Sequence, residues 1–155
     1  MTASELRPLT LERVRDIFDA AGWNYEPAQS GHGLRTGFYG LGMEIRFLAP
    51  TLTVLTTVAV DAVTAEQFDD VLDWVENYND THAFPTASAI QDTERDLTAL
   101  AATYALPGNW EYTDEQLAQH VSSGIEGVGN AARDFLQHFA PEVLAKIDAQ
   151  LPKVP

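Results

Sequence analysis

The chain has no cysteine, only 9 lysines and arginines against 23 aspartates and glutamates, and no apolar run near the ~18 residues that would cross a bilayer. Each shortage removes a class of function. Without cysteine there are no disulfides and no thiolate metal sites, a composition compatible with the cytosol. The scarcity of bases leaves a net charge of −14. A surface this acidic repels phosphate backbones, which argues against direct binding of nucleic acid or an anionic membrane. The N-terminus lacks a basic segment followed by an apolar core, so no signal peptide is expected and the chain reads as soluble and cytoplasmic.

Motifs that carry chemistry are equally sparse. His32, His82, His120 and His138 never pair at the short spacing that clamps a metal from one helix face. Asp69, Asp70 and Asp73 share a helix face, but an acid–base pair needs a cleft that drives two pKa values apart, and these fall on the solvated side. The segment Asp92-Thr93-Glu94-Arg95-Asp96 lacks the glycine and distal glutamate of a calcium loop and reads as a turn. Gly31-His32-Gly33 and Gly40-Leu41-Gly42 neither open a helix nor supply a lysine, so they are not phosphate loops. No serine sits in a nucleophile elbow. No catalytic residue, metal or cofactor is expected.

What is present is a foldable core. With 155 residues and 45% hydrophobic content, one domain can bury about two thirds of its unfolded surface. The expected unit is a single domain over residues 1–155, with its core at 9–139 and a short C-terminal helix and tail at 141–155. Thr10 can cap a first helix carrying Leu11, Val14, Ile17, Phe18 and Ala21, which ends at Gly22. Its polar face shows Glu12, Arg13, Arg15, Asp16 and Asp19. Trp23 and Tyr25 begin an extended piece, Leu34 to Tyr39 reads as a strand, and Met43-Glu44-Ile45-Arg46-Phe47 alternates as a half-buried strand should. The β-branched run from Leu52 to Val60 is the next strand, and short connections favour an antiparallel meander.

Thr64 and Gln67 form a capping box that opens a second helix. Phe68, Val71, Leu72, Val75 and Tyr78 make its apolar stripe, while Glu66, Asp69, Asp70, Asp73, Glu76 and Asn77 face away. Trp74 stands on the border between the two. Residues 83–90 read as a strand that Pro85 moves to an edge. Residues 94–104 suit a helix by propensity or a hairpin partner by position, and both readings stay open. Thr113 and Gln116 open a long third helix with a seam from Leu117 to Phe139. Gly124, Gly127 and Gly129 within it, with Ser123 and Ala131, form a small-residue strip. Such a strip serves close packing on the sheet or helix-to-helix contact across a dimer. Pro141 starts a final short helix and Pro152 stops it.

The run Val75-Glu76-Asn77-Tyr78-Asn79-Asp80-Thr81-His82-Ala83-Phe84-Pro85-Thr86-Ala87 resembles the helix-to-strand junction of the bacterial YbjN family. Ala21-Gly22-Trp23-Asn24-Tyr25 and Asp114-Glu115-Gln116-Leu117 fit it too, in order across residues 9–139. The elements read from the residues make an α+β domain, α-β-β-β-α-β-β-α, with an antiparallel sheet of about five strands, and the resemblance implies a type III secretion chaperone-like fold. It further implies small acidic proteins that dimerise and bind other proteins, described as sensory transduction regulators, with no catalytic residues to carry over.

A protein-binding module is therefore expected, chaperone-like or regulatory, working as a homodimer with a protein partner. Ten acids and one base fall within residues 61–98, either a solvated face or a docking surface for a basic partner. Candidate contact residues are Trp74, Asp70, Asp73 and Asn77 on the second helix and Phe84 at a sheet edge that could accept a partner strand. Asn77 and Asn79 are expected to tie down the helix end through side-chain hydrogen bonds to backbone. The rival is a small-ligand receptor or enzyme with a pocket rimmed by Trp23, Tyr25, Tyr39 and Trp110.

Overall fold

The computed structural model describes residues 5–152. The outermost parts of the expected domain and tail, residues 1–4 and 153–155, lie outside the described residues. The elements in chain order are β1 (Arg7–Pro8), α1 (Leu11–Ala21), β2 (Glu26–Pro27), β3 (Gly33–Phe38), β4 (Leu41–Leu48) and β5 (Thr51–Val58). A 3₁₀ turn (Ala65–Gln67) leads into α2 (Phe68–Thr81), followed by β6 (Thr86–Asp92), β7 (Leu97–Leu106), β8 (Glu111–Tyr112), α3 (Asp114–Phe139) and α4 (Pro141–Gln150).

The helix ends follow from their capping chemistry. The Thr10 hydroxyl accepts the Arg13 N–H, and Gly22 closes α1 at φ 71°, a left-handed conformation that glycine adopts without a Cβ penalty. The Gln67 side chain accepts the Thr64 N–H at 2.9 Å, and Gln116 does the same for Thr113 at 2.9 Å.

Six strands form one antiparallel sheet in the order β2-β3-β4-β5-β7-β6, and β1 pairs with β8 in a separate two-stranded ribbon. The strand count exceeds the expected five because two-residue β2 adds itself to β3 through Glu26↔Arg35 and Pro27↔Leu34. Residues 97–106 are strand. Their alanines and Leu100 pair with β5 on one side and β6 on the other, and this pairing on both sides overrides helical propensity.

Alternation sends Leu34, Ile45, Leu52, Val54, Leu100 and Leu106 to one face, where all are buried. All three long helices cover that face. Phe18 of α1 meets Phe38 of β3 at 6.2 Å, and Trp74 of α2 meets Phe135 of α3 at 5.7 Å. The glycine strip of α3 lies on the sheet. A Cβ at Gly124 would stand 2.8 Å from the Tyr104 ring, and one at Gly129 would stand 2.7 Å from Tyr39.

One residue of α1 defies its expected place on the polar face. Arg13 is 7% exposed. Its Nη1 donates to the carbonyls of Arg7 (2.7 Å) and Pro8 (2.9 Å), and its Nη2 donates to the Tyr112 carbonyl (2.8 Å) and Asp114 Oδ1 (3.0 Å). The planar guanidinium thus fastens β1, β8 and the start of α3 to α1. Arg7 joins through its own ion pair with Asp114. The hydrogen bond from Arg13 is the chief cause that holds the Asp114 carboxyl below its ordinary range; Arg7 adds to it.

Replacing Arg13 with alanine strips three backbone carbonyls and a carboxylate of their donor. The expected loss is about 3 kcal/mol in urea unfolding, against about 0.5 kcal/mol or less for Arg15→Ala. Because the folded Asp114 is the stronger acid, its contribution is complete above the unfolded carboxylate value of about 3.9 and disappears as pH falls through the folded value. Asp114→Asn should therefore lower stability at pH 7 and flatten the acid limb of a urea-midpoint profile.

Candidate functional site

The residues picked from sequence do not form one surface. Asp70, Asp73 and Asn77 lie exposed along the outer side of α2. Trp74 turns inward: it stacks on Tyr78 at 5.1 Å and sets its edge against Phe135 (5.7 Å) and Phe139 (6.3 Å), sealing the seam between α2 and α3. Phe84 is 47% exposed. Its ring lies over Gly127 of α3, where an added Cβ would be 3.1 Å away, and beside Tyr104 at 5.2 Å.

The sheet edge near Phe84 is not free at its start. The Asn79 side-chain amide donates to the Ala87 carbonyl at 2.9 Å and accepts the Ala87 N–H at 2.8 Å. A side-chain amide presents the same donor and acceptor as a peptide, so Asn79 occupies the place that an added strand would take at Ala87. Asn79 therefore secures the strand rather than the helix end. The Thr81 hydroxyl serves the helix end instead, donating to the Asn77 carbonyl at 2.9 Å.

The second face of the sheet carries no helix among the described residues. Register and alternation place Thr53, Leu55 and Thr57 of β5, Ala101, Thr103 and Ala105 of β7, and Thr86, Ser88 and Ile90 of β6 there. None of these is charged. Asp92, which ends β6, is turned onto Arg95, whose backbone N–H is the main cause of its lowered pKa. Towards the opposite edge, charge reappears as the ion pairs Arg35–Glu26 and Arg46–Glu44.

Where the end of α2 and Phe84 meet α3, a cleft of about 380 Å³ opens. Tyr78, His82 and Phe84 form one wall, and Ser123, Glu126, Gly127, Asn130 and Asp134 of α3 form the other. The Tyr78 and His82 rings are stacked at 3.8 Å and 6° from parallel. Burial, and secondarily the charge of Asp134, raise the Tyr78 pKa. Glu126 and Asp134 enter no ion pair among the described residues. The cleft was readable in part: Tyr78 and His82 are four residues apart in sequence, as are Glu126, Asn130 and Asp134, which at helical pitch puts each set on one face.

The rival aromatic pocket does not assemble. Trp23 and Tyr25 pack on Phe18 at 5.3 and 5.6 Å, Tyr39 covers Gly129, and Trp110 is 67% exposed. A shallow cleft beside Tyr25 is lined otherwise by Asn24, Glu26, Arg35, Thr36 and Gly37. Among the described residues, no three histidines, aspartates or glutamates gather as metal ligands, and no helix is long and apolar enough to cross a membrane.

A one-sided α+β sandwich, with helices stacked on one face of an antiparallel sheet and none of the described residues forming a helix on the other, is the class defined by these observations. Residues 10–137 match the model of the YbjN family, described as "Putative bacterial sensory transduction regulator", and the chain belongs to that family. The crystal structure of YbjN from E. coli, described as "a putative transcription regulator", superposes with a TM-score of 0.69 at 16% identity. It covers 86% of this chain and 96% of that one, and at this identity the likeness is one of fold. No curated relative matches the sequence.

The Asn79 clamp makes a specific prediction. Asn79→Ala leaves both backbone groups of Ala87 without a partner and should cost about 2 kcal/mol, with faster exchange of the Ala87 amide. Asn77→Ala, with no such side-chain bond, should stay within about 0.5 kcal/mol of the parent by urea unfolding.

Proposed function

We propose that this protein is a non-catalytic regulatory module, chaperone-like in its manner of working, that acts in the cytoplasm by binding protein through its uncovered sheet face. The carrying observation is the neutrality of that face. On a chain of net charge −14, nine positions across β5, β7 and β6 hold only threonine, serine, alanine, leucine and isoleucine. Family membership supports the regulatory part of the reading.

The occupant we favour for the sheet face is a second copy of the chain, making a two-fold dimer. The acidic α2 surfaces of two copies repel, whereas two neutral faces meet without bringing like charges together. Small hydroxyl- and methyl-bearing side chains also let two sheets approach face to face and interdigitate. The helical sides then point outward, where the acids of α2 are available to a basic protein partner; direct contact with nucleic acid or membrane has no place in this reading.

Sedimentation of the wild type and of a Thr57→Glu, Ser88→Glu double variant tests the dimer. The wild type should sediment as a dimer at about 50 µM, and the variant should dissociate at least about tenfold more readily with an unchanged circular dichroism spectrum. A wild type that remains monomeric, or a variant that dimerises equally well, rejects the sheet face as the interface. Turnover of any compound by the purified protein would reject the non-catalytic reading.

A further inference from the structure

The cleft between the end of α2 and the middle of α3 lies on the helical side, away from the proposed dimer face, and has its own chemistry. We propose that it binds a linear polyamine, an alkyl chain bearing protonated amines at intervals. Three features converge on that class. The first is the aromatic wall: Tyr78 is buried between the Trp74 and His82 rings, and the open ring surface of the cleft is that of His82 and Phe84. Aromatic faces attract ammonium groups and accept methylene chains alongside.

The second is charge. Glu126 and Asp134 both line the cleft and enter no ion pair among the described residues; no lysine or arginine lines the cleft with them. The raised Tyr78 pKa, caused first by burial and then by Asp134, places that carboxylate's field on the aromatic wall.

The third is spacing. Glu126, Asn130 and Asp134 follow one another at successive turns of α3, so their backbone positions step by about 6 Å along the axis and the two acidic residues stand about 12 Å apart along it. That separation is too long for both to chelate one metal ion at about 2–2.5 Å per bond. It suits a chain whose amines are separated by three or four methylenes, about 5–6 Å at ordinary bond lengths. The terminal ammonium groups would meet Glu126 and Asp134, and the central one would meet the Asn130 amide oxygen. The volume, about 380 Å³, is near the lower end of small-ligand sites.

A lysine side chain from a peptide carries the same ammonium chemistry, so the experiment separates the two sources. Trp74 stacks on Tyr78 at 5.1 Å, which makes its fluorescence a reporter of the aromatic wall. Fluorescence and calorimetric titrations are run with spermidine, with putrescine, and with a short peptide bearing two lysines. Spermidine should bind saturably, with putrescine at least about fivefold weaker because it can reach only one carboxylate.

Glu126→Gln and Asp134→Asn, both exposed isosteric changes, should each weaken spermidine by about fivefold to tenfold, and Phe84→Ala should weaken it without changing the charge. Glu12→Gln on α1 and Glu94→Gln in the turn after β6, both exposed and outside the cleft, should leave it unchanged. Equal losses in the Glu12 and Glu94 variants would mean general attraction to an acidic surface and would overturn the site. Tighter binding of the lysine peptide than of spermidine would overturn the assignment in favour of a protein segment, and no saturable binding of spermidine would reject it.

Discussion

The closeness of α3 to the sheet is the constraint from which the rest of the molecule follows. Three glycines hold the helix low enough for rings to enter where side chains would otherwise stand: Tyr104 beside Gly124, Phe84 beside Gly127 and Tyr39 beside Gly129. Each glycine costs a helix about 1 kcal/mol against alanine. The gain is a 26-residue helix whose buried seam spans the width of the core, from Leu117 to Leu136. With α3 seated this low, α1 and α2 can flank it on the same face. Phe135 reaches Trp74 on one flank, and α1 and α3 are tied through Arg13 and Asp114 on the other. The hydrophobic core is thereby filled from one side, and the opposite side of β5, β7 and β6 is left with uncharged side chains.

Elements whose information is local were legible in the sequence. Thr10 and Gly22 bracket α1, Thr64 with Gln67 and Thr113 with Gln116 open the next two helices, and the alternation of Met43, Ile45 and Phe47 marks β4. The glycine strip was visible as well, although the choice between a sheet and a second helix as its neighbour needed coordinates. Elements whose information is distant were not legible. β1, β2 and β8 are two residues each and exist because of partners elsewhere in the chain. Arg13 resembles any solvated arginine on an amphipathic helix until the Tyr112 carbonyl, 99 residues away, is brought beside it. Residues 97–106 carry a helix former's alanines in a strand because neighbours on both sides require small, flat packing.

The candidate site divides along the same line. Trp74 stood out as a border residue, and the structure turns it into the plate that backs Tyr78. Phe84 stood out through its junction with Pro85, and it proves to be one lip of a cleft whose other lip is contributed by α3. What no single-sequence pattern discloses is the meeting of those two lips, because they are about forty residues apart and depend on how far α3 sinks towards Gly127. Charge follows a spatial logic too. Acids crowd α2 and the outer face of α3, and the strands β5, β7 and β6 are neutral across their bare side.

The fan of hydrogen bonds around Arg13 also constrains how this polypeptide can be made. Its acceptors on β8 and α3 lie 99 and 101 residues downstream of the arginine. At ribosomal speeds of about 5–20 residues per second, α1 must wait on the order of 5–20 s between its own emergence and that of the segment that satisfies its buried guanidinium. During that interval the nascent N-terminal half lacks the helix that covers the meander's apolar side. Native closure around Arg13 thus waits for β8 and the start of α3, so the two ends of this network can form only together.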